Sequence, residues 1–325
     1  MGVHAVPYEG MDFFETHNAV AELHCSEKMY ADFCFGLLNE LFVNDVKRND
    51  ITSEVLIPNN LQGKGVIVAH EDGVVAGLEE IHFFLENERS LKNVRSLFLL
   101  KDGVRVKKGE GIAVLEGPVL DLLKAERIVL NVIQRMSGIA TFASEFVEKV
   151  PKMVLVTPTR KTLWGLLDKK ACAMGGAGTH RLDLEDAVLV KDNHLAVLGK
   201  NFGLLFQQLE EGWSKIKHAR FIEVEVTSLE DFQTLLKEFQ NSEFYKKMRS
   251  QRLFVMLDNF KVADVWEACR LFERQQISDS VYLEASGGIN LKNVSEYGKT
   301  GVHIISSGAL THSAPAFDCS FELSF

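Results

Sequence analysis

The chain has little proline and cysteine, and neither is organised: six prolines and five cysteines are spread over 325 residues. Cys25, Cys34, Cys172, Cys269 and Cys319 are odd in number and contain no CxxC pair. That excludes a disulfide framework or a cysteine zinc site and leads to the expectation of a reduced, cytoplasmic protein. No apolar run approaches the ~20 residues of a bilayer-spanning helix, so no membrane role is expected. MGVHAVPYEG lacks a cationic leader ahead of an apolar core, and Val6 stands where a myristoylation signal has Ser or Thr. Positive charge is scarce as well, with 36 Lys and Arg against 45 Asp and Glu, a formal net charge of −9. The broad basic stripe of a nucleic-acid binder is thereby excluded. Neither repeats nor low-complexity segments are evident.

What is present is a large apolar fraction, 46%, enough for one big core or two unequal ones. Residues 29–43 read as an amphipathic helix. GVIVAHEDGVVAG and SLFLLKDGVRVKKGEGIAVLEG read as hairpins, since DG and GEG supply positive-φ turn positions. Together they suggest a small α+β domain. Residues 120–149 have helical spacing and are expected to form one or two buried helices, broken near Ser137-Gly138. After residue 150, MVLV, AVLV, FIEVEV, LFVML, VYLEA and VHIIS alternate with helical stretches. Alternation of this kind predicts parallel strands in an α/β barrel or a doubly wound sheet. The expected divisions are an extension over 1–28, the α+β domain with linking helices over 29–148, a barrel over 149–312, and a C-terminal segment over 313–325 that returns to the N-terminal domain.

Each strand-like run delivers polar or glycine residues at its end. They are Arg160-Lys161, Lys191, Glu223 and Glu225 within the third run, Asp258-Asn259, Ser286-Gly287-Gly288, and Ser307-Gly308. In a barrel these ends share one mouth, where chemistry is done. With His180 and Arg181, the cations gather in an otherwise acidic chain and suggest a site for a polyanion. Carboxylates ending buried strands suit Mg²⁺ or developing positive charge, and glycine lets backbone N–H groups approach a phosphate. Internal ion pairs and tight turns would explain the same residues one by one. His194 has no assigned role beyond a helix cap or an exposed side chain.

NDITSEVLIP, AERIVLNVIQRMSGIAT, TRKT, GTHRLDLEDAVLVKDNH, EVEV, MLDNF, EASGGI and SSGALTHSAP run in order from about residue 49 to 320. In them the chain resembles the quinolinate phosphoribosyltransferase family, also called nicotinate-nucleotide pyrophosphorylases (decarboxylating). The resemblance implies a TIM-like α/β barrel of the type II phosphoribosyltransferase kind, complete or incomplete, behind an N-terminal α+β domain. It implies transfer of phosphoribosyl from 5-phosphoribosyl 1-diphosphate to quinolinate with Mg²⁺, releasing diphosphate and CO₂, in a dimer or hexamer. By the same likeness Arg127 is lent across a dimer interface, and Arg160, Lys161, His180, Arg181 and Lys191 bind the quinolinate carboxylates and the diphosphate. Lys161, Lys191, Glu225 and Asp258 are the expected catalytic set, with Glu225 and Asp258 also facing the metal. Ser286, Gly287, Gly288, Ser307, Gly308 and Ala309 would hold the 5′-phosphate.

The chain departs from the family pattern beside the acceptor pocket. Leu163-Trp164 follows TRKT where Thr-Pro is usual, the run to Gly175 is about two residues short, and Ala177 replaces a common third glycine. About a dozen extra residues near 241–252 are expected to be a surface elaboration. Three other readings stay open: a related transferase for another aromatic acid such as nicotinate, a Schiff-base lyase using Lys161 or Lys191, and a catalytically silent relative kept as a binding or scaffold protein.

Overall fold

A computed structural model describes residues 12–47, 49–248, 252–275 and 280–325. In the N-terminal part, β1 (Gln62–Ala69), β2 (Gly73–Val74), β3 (Arg95–Phe98), β4 (Arg105–Val106) and β5 (Gly111–Pro118) form two small antiparallel sheets. β1 pairs on one edge with β5 and on the other with β12 (Cys319–Ser324), the last strand of the chain. With both edges of β1 occupied, the run after Asp72 cannot fold back on it. The expected DG hairpin is therefore absent, and β2 pairs instead with β4. Asp72 fixes that arrangement by accepting from Lys107 Nζ at 2.7 Å and Lys108 N at 3.0 Å. The second expected hairpin exists in altered form, because β3 does pair with β5 but β4 leaves the loop between them.

The helix Val119–Glu148 runs unbroken for 30 residues, which corrects the expected break at Ser137-Gly138. Ser137 Oγ bonds both Ala76 N at 3.0 Å and Ala76 O at 3.2 Å. Gly138 is required for close packing rather than for a turn, since a Cβ there would lie 2.1 Å from the Pro315 carbonyl oxygen. Lys170, buried on the helix Leu166–Met174, pairs with Glu79 and, at 2.7 Å, with Glu80, whose carboxylate also accepts from Tyr30 OH. This ionic cluster fastens the barrel to the helix Leu78–Asn87 of the first domain, because breaking one partner would leave an uncompensated buried charge.

The barrel strands are β6 (Leu155–Thr157), β7 (Val188–Val190), β8 (Ile222–Val226), β9 (Leu253–Asp258), β10 (Val281–Ser286) and β11 (Ile304–Ser306). They form a six-stranded parallel sheet in the order β6-β11-β10-β9-β8-β7. All five residues of β8 and the first five of β9 are buried, as expected of strands covered on both faces. The covering helices bury one stripe. In Leu229–Asn241 it is Phe232, Leu235, Leu236 and Phe239, and Ser228 Oγ caps the first turn by accepting from Asp231 N. The short helix Glu243–Lys247, expected as surface elaboration, inserts Phe244 against Phe206 and Trp213. Residues 249–251 of that expected insertion lie outside the described residues.

β6 and β7 do not pair, so the barrel is open along one seam. Gly178 N bonds Val156 O on the free edge of β6 at 2.8 Å. The N-terminal extension lies beside this turn, and its helix Asp12–Thr16 places Phe13 in an apolar cluster with Leu155, Ala187, Phe221, Phe254 and Ile304. Most of these residues sit at or near strand starts, so the extension covers the end of the barrel opposite the mouth. Among the described residues no helix is long and apolar enough to cross a membrane, and all five cysteines are free thiols.

Candidate active site at the barrel mouth

Beyond β6 the chain presents Arg160 and Lys161, both exposed. Their loop is held from below. Asp168, fully buried, accepts from Leu163 N at 2.9 Å and Trp164 N at 3.1 Å. The same carboxylate takes a bidentate pair from Arg135, with Nε at 3.0 Å and Nη2 at 2.8 Å. Arg135 Nη2 also donates to Thr311 O, and Thr311 Oγ1 donates to Lys161 O at 2.9 Å. The Leu163-Trp164 departure therefore changes exposed surface at Leu163, while the backbone stays pinned. Lys169 Nζ donates to Thr179 O at 2.8 Å and reaches Thr159 O at 3.5 Å, tying the loop after β6 to the turn that carries His180 and Arg181.

Arg181 is buried, with Nη1 donating to Ala187 O at 3.1 Å and Nε lacking any partner. Burial and the neighbouring positive charge of Arg160 lower its pKa. Lys191 is exposed after β7; its backbone N–H donates to His194 Nδ1 at 2.9 Å, so His194 caps the helix Asp192–Val197.

Glu225 and Asp258 stand on paired strands, Glu225 opposite Met256 and Asp258 at the end of β9. Both have raised pKa values. For Glu225 burial is the main cause and the charge of Asp258 the second. For Asp258 burial outweighs the opposing hydrogen bond from Asn259 and the ammonium charges of Lys191 and Lys161. The two acids and two lysines thus feel one another across one opening.

The glycine loops close the circle. Gly287 and Gly288 have φ of +87° and +66°, and a Cβ on Gly287 would fall 2.4 Å from Asn259 Oδ1. Asn259 N donates to Ser286 O at 2.9 Å, and Ser306 Oγ donates to Ser286 Oγ at 2.8 Å. Ser307 Oγ donates to Ile289 O and accepts from Ala309 N. A Cβ on Gly308 would meet Lys161 Cδ at 3.2 Å. The ends of β6, β9, β10 and β11 therefore border a single mouth. A separate cavity of about 430 Å³, lined by Phe13, Met153, Lys299 and His303 among others, lies at the other end of the barrel.

His180 does not stand with the exposed cations. It is buried, with Nε2 3.3 Å from Glu223 Oε2 and 3.6 Å from Glu284 Oε1, and His17 stacks on Phe221 beside it. The donor atoms of His17, His180, Glu223 and Glu284 lie within 4.8 Å of one another, a spacing that would admit a metal. The tautomer argues otherwise. His180 Nδ1 accepts the Arg181 N–H at 2.7 Å, so its proton resides on Nε2 and points at the carboxylates, leaving no lone pair there for a cation. Glu223 is pushed up to about 7 by burial and by the charge of Glu284, as expected of acids sharing a buried proton. This layer is the polar floor of the mouth.

Arg127 lies elsewhere. It is exposed on the helix Val119–Glu148 and has no ion pair among the described residues. Asp168, Lys169, Arg135, Thr311, Glu284 and His17 were not anticipated as parts of the site. Asp168-Lys169-Lys170 reads as a solvated helix face, yet all three are buried. No pattern in the sequence separates that case from the ordinary one.

Phosphate-sized glycine loops, clustered cations and two strand-end acids at one barrel mouth define a barrel enzyme class that handles phosphorylated, anionic substrates. Comparison makes the class specific. Residues 50–137 match the quinolinate phosphoribosyl transferase N-terminal domain and residues 139–322 its C-terminal domain, and the chain belongs to that family. A probable nicotinate-nucleotide pyrophosphorylase (carboxylating) of Methanocaldococcus jannaschii is 35% identical over 91% of this chain and 99% of its own length. A Nicotiana glauca quinolinate phosphoribosyltransferase (decarboxylating) is 35% identical over 84% of this chain and 77% of its own. The solved nicotinate-nucleotide pyrophosphorylase of Francisella tularensis is 28% identical with a TM-score of 0.76, covering 90% of this chain and 96% of that one.

Gly287→Ala should strain the positive-φ turn and push Asn259 aside, costing about 1–2 kcal/mol of stability and raising KM for a phosphorylated substrate at least tenfold. An unchanged KM in steady-state kinetics would contradict a phosphate role for this loop. Lys169 supplies a pH test. Burial lowers its pKa from 10.5 to about 8. Below pH 8 folded and unfolded chains both hold the proton, and the cost of the buried charge is fully present. Between 8 and 10.5 the folded chain has released it, so stability rises with pH. Urea unfolding of wild type and Lys169→Met should show the difference moving in favour of wild type by about 2 kcal/mol from pH 7 to pH 10. A difference independent of pH would refute the buried ammonium.

Proposed function

We infer that this chain transfers the phosphoribosyl group of 5-phosphoribosyl 1-diphosphate to quinolinate, releasing diphosphate and CO₂ and forming nicotinate mononucleotide, a step of NAD biosynthesis. One observation carries the reading. Arg181 is buried with an unpartnered Nε and with Arg160 as a destabilising neighbour, and neither has an ion pair among the described residues. A buried guanidinium beside a second cation calls for an anionic ligand, because burying a cation without compensation is costly. Quinolinate brings two adjacent carboxylates, one for each arginine, with Lys161 and Lys191 left for the diphosphate.

The rest of the mouth follows from the charge changes of the reaction. The loops Ser286–Gly288 and Ser307–Ala309 hold the 5′-phosphate through backbone N–H groups. As diphosphate departs, the ribose gains oxocarbenium character, and Glu225 and Asp258 stabilise it from below. The attacking ring nitrogen is held in line by the cationic clamp, which also stabilises the electron pair left on the ring carbon when CO₂ is lost, until a proton from solvent water forms the C–H bond of the product. His180, held by Glu223 and Glu284, orients the turn that presents Arg181. Glu225 and Asp258 are oxygen donors at the solvent-facing side of the acid layer and suit Mg²⁺, which usually keeps several waters and takes one or two carboxylates. When bound, Mg²⁺ supplies charge neutralisation for the diphosphate. The exposed Arg127, without an ion pair among the described residues, completes the mouth of a neighbouring subunit in a homo-oligomer.

Purified protein given quinolinate, 5-phosphoribosyl 1-diphosphate and Mg²⁺ should release one CO₂ per nicotinate mononucleotide. Turnover on nicotinate but none on quinolinate would reject the acceptor. Arg127→Ala and Arg181→Ala proteins, each inactive alone, should regain activity when mixed; no recovery would reject the exchange of Arg127 between subunits.

A further inference from the structure

Residues 12–22 lie outside the family-matched segments, which begin at residue 50, yet they bond directly to the turn that carries Arg181. On one side of that turn, His17 O accepts from Thr179 N at 2.8 Å and from His180 N at 3.1 Å. Ala19 N donates to Thr179 Oγ1 at 2.8 Å. These bonds fall where the backbone is strained, since His180 has a φ of +52°, a region that costs an ordinary residue roughly 1 kcal/mol. On the other side, Glu22 pairs with Arg220, Arg220 Nε pairs with Asp186 at 2.9 Å, and Asp186 Oδ2 accepts from Leu182 N at 2.8 Å. Arg181 is thus framed by two backbone turns that both trace back to the same N-terminal segment. The segment is itself anchored by Phe13 in its apolar cluster and by His17 stacked on Phe221 at 4.0 Å. It also links the two sides of the open seam: His17 bonds the turn after Gly178, which is tied to β6, and Glu22 reaches through Arg220 to Asp186, just before β7.

We propose that residues 12–22 form a strap across the barrel seam that positions His180 and Arg181 and thereby sets the affinity for the anionic acceptor. His17 and Glu22 are positioning residues, because neither is placed to touch substrate and both act through the 179–182 turn. The kinetic part rests on the acceptor reading given above, whereas the structural part does not. A loosened strap leaves the glycine loops after β10 and β11 in place, because the hydrogen bonds that hold them run among Ser286, Ile289, Ser306, Ser307 and Ala309 and not to residues 12–22. The effect should therefore fall on the acceptor and spare the phosphoribosyl donor.

The test uses three full-length variants: Phe13→Asp to undock the helix, Glu22→Ala to cut the far link, and Thr179→Val to remove the hydroxyl's bonds with Ala19 N, His17 O and His180 O without replacing any residue of the segment. Hydrogen exchange without substrate reads positioning alone. Amides of Thr179 and His180 should exchange at least tenfold faster in Phe13→Asp, and that of Leu182 faster in Glu22→Ala, while the helix Leu229–Asn241 is unchanged. In steady-state kinetics the KM for quinolinate should rise about tenfold in Phe13→Asp and about threefold in Thr179→Val. The KM for 5-phosphoribosyl 1-diphosphate should stay within twofold. Unchanged exchange at residues 179–182 overturns the strap. Faster exchange with both KM values raised equally overturns its acceptor-specific role. Wild-type protein inactive on quinolinate, with exchange altered as expected, rejects the acceptor reading and leaves the strap standing.

Discussion

The mouth depends on one buried carboxylate. Asp168 has no exposure, and its two oxygens receive the Arg135 fork and two backbone N–H groups from Leu163 and Trp164. Four donors offset the cost of burying this carboxylate, which would be high without partners. Through Arg135 the same interaction reaches Thr311, which follows the Ser307–Ala309 loop and returns a hydrogen bond to Lys161. The Arg160–Trp164 loop and the Ser307–Ala309 loop are therefore fastened to one another as well as to the barrel. Repulsion among Arg160, Lys161, Arg181 and Lys191 would otherwise spread these loops apart. The cations can be held close without ligand because their backbone, and not mutual pairing, fixes them.

Beneath this open layer lies a closed one. His180 and the acids Glu223 and Glu284 sit in the interior, with the His180 proton directed by the Arg181 N–H to the side facing the carboxylates. Two residues further along the strands, Glu225 and Ser286 reach the mouth. The period-two geometry of β8 and β10 places one acid of each strand level below another functional residue on the same face. Charge is paired internally in the lower layer, and the cations of the upper one have no ion pairs among the described residues. That division explains why His180, grouped with the cations in sequence, stands apart from them in space.

Much of this was legible in the sequence. The strands after residue 150 announce themselves as short apolar runs, and the charged or glycine residues at their ends follow from barrel geometry. The Glu225 and Asp258 pair and both glycine loops were recognisable for that reason. Local signals misled where tertiary partners decided the outcome. Ser137-Gly138 reads as a helix break, but a neighbouring backbone needs that glycine for close approach. Asp72-Gly73 reads as a hairpin, but β1 has no free edge to receive it. The buried charges Asp168, Lys169 and Lys170 were not legible at all, since three consecutive charges on a helix ordinarily face water. The role of residues 12–22 was equally hidden, because it rests on carbonyl and amide groups that every residue carries.

The central claim is that the Arg160–Trp164 and Ser307–Ala309 loops, proposed to hold acceptor and phosphate, form one unit through Asp168. Asp168→Asn keeps the shape while removing the charge that holds Arg135, and its kinetics test that claim most directly. The account predicts a folded protein in which the KM values for quinolinate and for 5-phosphoribosyl 1-diphosphate both rise about tenfold or more. A folded variant with both KM values close to wild type would contradict it.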